Sequence, residues 1–248
     1  MLKNTIKTLA LLSLLPFTAR AATDDGWLER YNRMMFDFNM TADKYVIKPI
    51  AKGYRAVTNQ DVRNRVTSFI ANVNEPVAAA NHTLQGGFMQ ALNSVARFAV
   101  NTTLGLGGLF DVAEGWGLKK NHVGFDETMA NYCVPDGPFV VAPLLGPFTV
   151  RSAVGYAVDG IASPAHWGPL NDSNYAAKIS YGYSGASAIN SREKALDLLD
   201  DLQKNSVDFY STVRSAYIQN RQKINSSCQS AGDSPSYDFD FDDESFDD

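Results

Sequence analysis

The chain has 248 residues, 45% of them hydrophobic, a mean hydropathy of −0.20 and a formal charge of −5. That is enough apolar material for a sizeable core and too little for a polytopic membrane protein, and the acid excess excludes a polybasic nucleic-acid footprint. No segment reads as a transmembrane helix. The longest apolar run after the leader, Phe139–Phe148, is broken by Pro143, Gly146 and Pro147, where a span needs about 20 apolar residues.

Residues 1–21 read as a secretory signal peptide. Lys3 and Lys7 are its basic region, Leu9–Phe17 its apolar core, and Ala19-Arg20-Ala21 its small-residue cut, placing cleavage before Ala22. No cysteine stands at the cut, so lipidation is not expected. Residues 22–228 then read as a single helical domain.

Trp27–Ile47 carries Trp27, Tyr31, Met34, Phe38, Ala42 and Tyr45 at helical spacing, and Lys48-Pro49 should stop that helix. A short helix follows over 50–57. Another begins at Asp61, a candidate N-cap, with Val62, Val66, Phe69 and Val73 on one face. Asn74-Glu75-Pro76 should end it, with Pro76 opening a new helix at its N1 position through Leu84. Gln85-Gly86-Gly87 marks a turn, and Phe88–Leu104 a further amphipathic helix.

Gly105–Pro147 is rich in Gly and Pro. Within it Phe125–Tyr132 reads as a short helix, and Asp136-Gly137 is the signal for one short hairpin. Helices resume over 149–161 and 175–189. A long one starts after Ser191, where Ser191-Arg192-Glu193-Lys194 resembles a capping box, and breaks near Asn205-Ser206. There is no internal repeat, and the fold class is predominantly all-α. Residues 229–248 close the chain as an acidic tail. Its last thirteen residues, Ser236–Asp248, hold seven acids and no base, a composition that stays disordered. This tail accounts for most of the net charge, so the body is near neutral.

Cys133 and Cys228 are the two cysteines. Export permits a disulfide, but their positions do not decide whether they pair. Catalytic patterns are missing. Gly182-Tyr183-Ser184-Gly185-Ala186 fails as a nucleophile elbow at its last position. His82, His122 and His166 belong to no metal pattern. Asp126 and Glu127 point apart on a helix, and Glu75 reads as a helix-start carboxylate. No catalytic residue, metal ligand or cofactor is assigned, and the chain reads as a non-enzyme.

The most informative stretch is Arg97–Asp111, RFAVNTTLGLGGLFD. It begins as an amphipathic helix and ends in an apolar, glycine-laced segment. The glycines permit φ > 0 or close backbone approach, while the leucines and Phe110 supply apolar contact. Such a segment suits a wall that touches lipid without crossing it.

Several strings then combine: Tyr31–Asn39 (YNRMMFDFN), Pro49–Arg55 (PIAKGYR), Asn74–Val77 (NEPV), Asn81, Leu84–Gly86, Arg97-Phe98, Asn101–Asp111, Gly137–Phe139, Pro143–Pro147 (PLLGP) and Arg214–Tyr217 (RSAY). Together they make the chain resemble the VacJ/MlaA family over roughly 27–224. The resemblance implies a ring of amphipathic helices in the inner leaflet of the outer membrane, around an amphipathic channel. It implies removal of phospholipids misplaced in the outer leaflet, association with a trimeric porin, and delivery to a periplasmic lipid carrier. On that expectation Leu104, Gly105, Leu106, Gly107, Gly108, Leu109 and Phe110, with Phe139, Val140, Val141, Pro143, Leu144 and Leu145, form the apolar channel wall. Asn101, Thr102 and Thr103 form its polar side. Three features depart from the family's usual pattern: the missing lipid-bearing cysteine, Met129–Asp136 in place of a glycine-rich run, and Ser152 after Arg151. The alternative is a soluble periplasmic or secreted lipid-binding module.

Overall fold

The computed structural model describes residues 26–165 and 173–230. The expected signal peptide, the chain beyond Ser230 and His166 lie outside the described residues. The described elements are helices α1 (Gly26–Ala42), α2 (Lys48–Val57), α3 (Gln60–Leu84), α4 (Phe88–Thr103), α5 (Val112–Gly115) and α6 (Phe125–Asn131), then strands β1 (Phe139–Ala142) and β2 (Gly146–Thr149), then α7 (Val150–Ala162), α8 (Ser173–Lys194), α9 (Leu196–Asn205) and α10 (Phe209–Ser230). The fold is predominantly helical, as its amphipathic spacing predicts.

Two prolines do not break the chain where local rules place breaks. Between α1 and α2, Asp43–Ile47 winds as a wide π-type turn, and Lys48 N–H donates to Asp43 O. Widening the turn makes room for the Pro49 ring against the preceding carbonyls, so the helical path continues. Pro76 sits inside α3 rather than at a helix start. An interior proline costs about 3 kcal/mol. Here α3 packs along α4, and Val77, Ala78, Ala79 and Ala91 are buried on the facing sides. Small side chains let the two helices approach, and that contact offsets the cost of the proline, so α3 runs on through Pro76. Helix α3 is capped by Asn59, whose side chain accepts from Val62 N–H, and not by Asp61. Likewise Ser191–Lys194 is the end of α8 rather than the start of a helix; the break falls at Ala195. The break near Asn205-Ser206 is present.

The hairpin is real but lies beyond Asp136-Gly137. Strands β1 and β2 pair antiparallel, Phe139 with Thr149 and Ala142 with Gly146, around Pro143-Leu144-Leu145. Asp136 is engaged elsewhere: its carbonyl accepts from Arg151 N–H and its carboxylate from the Arg221 guanidinium. The outer edge of β1 is closed by α1. Asn32 accepts from Val141 N–H at 2.8 Å and donates to Phe139 O at 3.1 Å; Asn39 accepts from Leu144 N–H and donates to Ala142 O. Two carboxamides seven residues apart thus act as a strand for the hairpin.

The helices close a ring. Helix α3 packs on α6, α6 on α10, α10 on α9, α9 on α8, and α8 returns to α3. The apolar core is small and sits to one side, where Phe36, Val141 and Tyr210 pack with Met35, Met40, Phe139, Phe209 and Val213. Phe36 meets Phe209 and Tyr210 edge-on at 5.5 and 5.4 Å. Cys133 and Cys228, left open by the sequence, are bonded to each other and join the loop after α6 to α10.

Candidate functional site: a polar chamber in an inside-out ring

Helix α4 reverses the usual polarity. Its buried residues are Ala91, Ser94, Arg97 and Asn101. Phe88, Met89, Leu92 and Val95 form its exposed face, with Leu92 62% exposed. Leu104 and Leu106 continue this apolar face, and Trp116, Leu144, Leu145, Val150, Val154 and Ile161 are exposed elsewhere. Helix α7 buries Arg151 and Gly155 while exposing Val150, Val154 and Ile161. A contiguous apolar exterior marks an interaction or membrane surface. Among the described residues no helix is long and apolar enough to cross a membrane.

The buried charged groups of two clusters are paired, as burial requires. Arg97, 1% exposed, donates to Glu75 at 2.7 Å and to Asp111 at 2.8 Å. Asn101 donates to Asp111 and accepts from Ala113 N–H. Burial pushes the Asp111 carboxyl up, but the hydrogen bonds from Arg97 and Asn101 outweigh it and hold Asp111 below the usual carboxylate range. A second cluster joins α6, α7 and α10. Arg151 donates to Asp126, and Arg221 donates to Asp126 and Asp136. Asn225 bridges Arg151 and Asp136. Burial raises Asp126, and the two guanidiniums more than reverse that.

Within the ring lies a polar chamber of about 440 Å³, between α3 (Ile70, Asn74, Val77), α7 (Tyr156, Asp159, Gly160) and α8 (Tyr183, Ser184, Ser187, Ser191), with His122 from the loop before α6. A smaller lobe of about 240 Å³ adjoins it, sharing Ile70, Asn74, His122 and Ser191. The Ser163 hydroxyl, at 5% exposure, borders the chamber without a hydrogen-bond partner among the described residues. Burial raises the Asp159 carboxyl, although Phe125 N–H and Asn81 donate to it. Burial likewise raises the Tyr183 phenol. Two apolar grooves adjoin this polar space. One, of about 390 Å³, shares Ile70 and Tyr183 with it and is lined by Phe69, Val73 and Ile179. The other, of about 500 Å³, runs between the hairpin and α7 and shares Tyr156. Among the described residues no group of three His, Cys, Asp or Glu side chains converges as a metal site would.

The residues expected to line a channel are divided among other places. Leu104, Leu106, Leu109 and Phe110 are exposed, Phe110 beneath the Arg65 guanidinium at 3.9 Å. Gly105 and Gly108 are buried at close approaches: a Cβ on Gly105 would stand 2.4 Å from Asn101 O, and one on Gly108, at φ +94°, 2.5 Å from Asn72. Gly107 and Leu106 also have positive φ. Asn101 is in the Arg97 cluster, Thr102 accepts from Asn72, and Thr103 donates to Ala99 O. Phe139 and Val141 belong to the aromatic corner. Val140 and Leu145 line the hairpin groove, and Pro143 and Leu144 form its exposed tip. None of these residues lines the polar chamber. Sequence reasoning missed Ser184, Ser187 and Ser191; their i, i+3, i+7 spacing of hydroxyls on α8 is the signal that marks one face. It also missed the pairing of Glu75, which is a mid-helix buried partner and not a helix-start carboxylate.

Comparison with known proteins supplies the wider frame. Residues 24–224 match the family model described as MlaA lipoprotein. The intermembrane phospholipid transport system lipoprotein MlaA of Escherichia coli K12 is 34% identical over 232 residues, covering 90% of this chain and 89% of that protein. An uncharacterized protein of Rickettsia felis is 38% identical over 195 residues, 78% of this chain and 75% of its own. A structure solved in work on the structural basis for maintenance of bacterial outer membrane lipid asymmetry superposes with a TM-score of 0.69 at 34% identity, over 80% of this chain and 98% of that one.

Proposed function

We propose, from the premise that this chain belongs to the MlaA family, that phospholipid passes through its polar chamber on the way out of the outer membrane. The protein is a component of intermembrane phospholipid transport serving outer-membrane lipid asymmetry. The observation that carries the route is the reversed polarity of α7, which lines that chamber, and of α4, which packs against the chamber-lining α3. An apolar exterior lets the ring lie in a leaflet without a spanning helix. A polar interior gives a headgroup a path that lipid tails alone deny it. The flanking apolar grooves suit acyl chains. The segments at 104–110 and 139–145 then serve as the lipid-facing rim of the ring, around that route.

The Escherichia coli relative is named for transport, and the role proposed for the chamber is conduction rather than hydrolysis. On this reading the apolar faces and a trimeric porin as neighbour hold the ring in place. A soluble periplasmic carrier receives the cargo. The test is to plug the chamber with Ser184→Phe and Ser187→Trp, separately, in cells that depend on this protein. Surface phospholipid, labelled with a membrane-impermeant amine reagent, should rise to the level of a null strain with the protein still in the outer membrane. Wild-type labelling in both variants would end the proposal.

A further inference from the structure

We infer that Lys120 and Lys194 form a phosphate clamp at one end of the chamber, taking the phosphodiester of a phospholipid headgroup. The inference rests on the chamber being the lipid's route. Both lysines line the smaller lobe, with Thr67, Asn74, His122 and Asn190. Lys120 comes from the loop after α5 and Lys194 from the last turn of α8. Burial, and then the charge of Lys120, hold the Lys194 ammonium below its ordinary range.

The acids around the lobe are committed elsewhere. Glu75 is paired with Arg97, and Glu193 with Arg55 and Arg63. Asp111 is held by Arg97 at 2.8 Å and reaches Lys120 only at 3.5 Å. Lys194 has no ion pair among the described residues. Two like charges gathered in a half-enclosed site disfavour each other until an anion joins them. Neutral donors complete the setting. Asn190, buried, is held by Thr67, and Asn74 accepts from the Tyr183 hydroxyl on its Oδ1, leaving its NH₂ group to donate. A lysine is a compact point charge without the fixed fork of a guanidinium. That suits a headgroup that must be held and then released.

The full-length protein, purified in detergent, is offered equal amounts of dioleoylphosphatidylglycerol and dioleoylglycerol, and the retained lipid is measured by mass spectrometry. The two lipids share tails and differ by the phosphate-bearing headgroup. The native protein should enrich the phospholipid about tenfold. Together, Lys120→Gln and Lys194→Gln should bring enrichment to near parity with the circular dichroism spectrum unchanged, and Lys120→Arg with Lys194→Arg should restore it. Undiminished enrichment in the glutamine pair overturns the clamp. Ser187→Trp separates the two readings. If it empties the protein of lipid while the glutamine pair keeps its preference, the chamber stands and the clamp falls; if it retains lipid normally, the chamber itself falls. Saturable binding of inorganic phosphate with no lipid enrichment would make this a free-phosphate site and overturn the lipid assignment.

Discussion

The α3–α4 pair and the corner of α1, the hairpin and α10 are built by opposite rules. The corner has an apolar interior, with Phe36, Val141 and Tyr210 inside and Arg33 over the Tyr210 ring at 4.4 Å, although α1 also exposes Met34 and Phe38. The α3–α4 pair puts Arg97, Glu75 and Asn101 inside and Phe88, Met89 and Leu92 outside. On the proposed placement in a leaflet, the difference teaches that one chain meets two solvents. Where the outside is water, apolar burial drives packing. Where the outside is hydrocarbon, that drive is absent, and paired polar groups and close small-residue contacts hold the helices together.

Breaking each interior at its centre should give the largest effects. Arg97→Ala strands two buried carboxylates and should cost about 3–5 kcal/mol. Phe36→Ala leaves an aromatic-sized void and should cost about 3–5 kcal/mol. The two are told apart by rescue. Adding Glu75→Gln and Asp111→Asn should recover part of the Arg97 loss in chemical denaturation, and neither should help Phe36→Ala. Replacing both Cys133 and Cys228 by serine should cost about 2–4 kcal/mol, since the bond closes a loop with a sequence separation of 95; a melting temperature insensitive to reductant would contradict this.

Acid should weaken the polar interior before the aromatic corner. Asp111 and Asp126 lie below the ordinary carboxylate range. Their contribution is full above the unfolded carboxyl value near pH 4 and is lost as pH falls through the depressed native values. Asp159 has the opposite sign, because its raised carboxyl is relieved by protonation. The melting temperature should therefore fall below about pH 4, and Asp126→Asn should flatten that limb. The smallest effect on stability belongs to the outer face. Leu92→Lys should change unfolding free energy by less than about 0.5 kcal/mol while moving protein from the membrane fraction to the soluble one.

Helical spacing made the elements legible, and composition made the middle section stand out. What local rules misjudged were the points where distant contacts decide. Pro76 and Pro49 read as stops because nothing nearby announces the α4 surface or the widened turn. The hairpin drifted from Asp136-Gly137 to Pro143–Leu145 because Asp136 is claimed by Arg151 and Arg221, far along the chain. The Gly-rich run after α4 was readable as unusual, and its glycines do serve close approach and positive φ. That its leucines are left exposed depends on which solvent surrounds the ring. The chamber was hidden for a different reason: Ser184, Ser187 and Ser191 are small and mildly polar, and a helix carrying them shows little amphipathic contrast.

The covalent tie between Cys133 and Cys228 has a mechanical meaning for the ring. It welds the joint where α6 meets α10, so the hoop cannot spring open there to admit cargo sideways. Any widening of the ring falls to the unwelded joints, and on the proposed route cargo enters elsewhere than between α6 and α10.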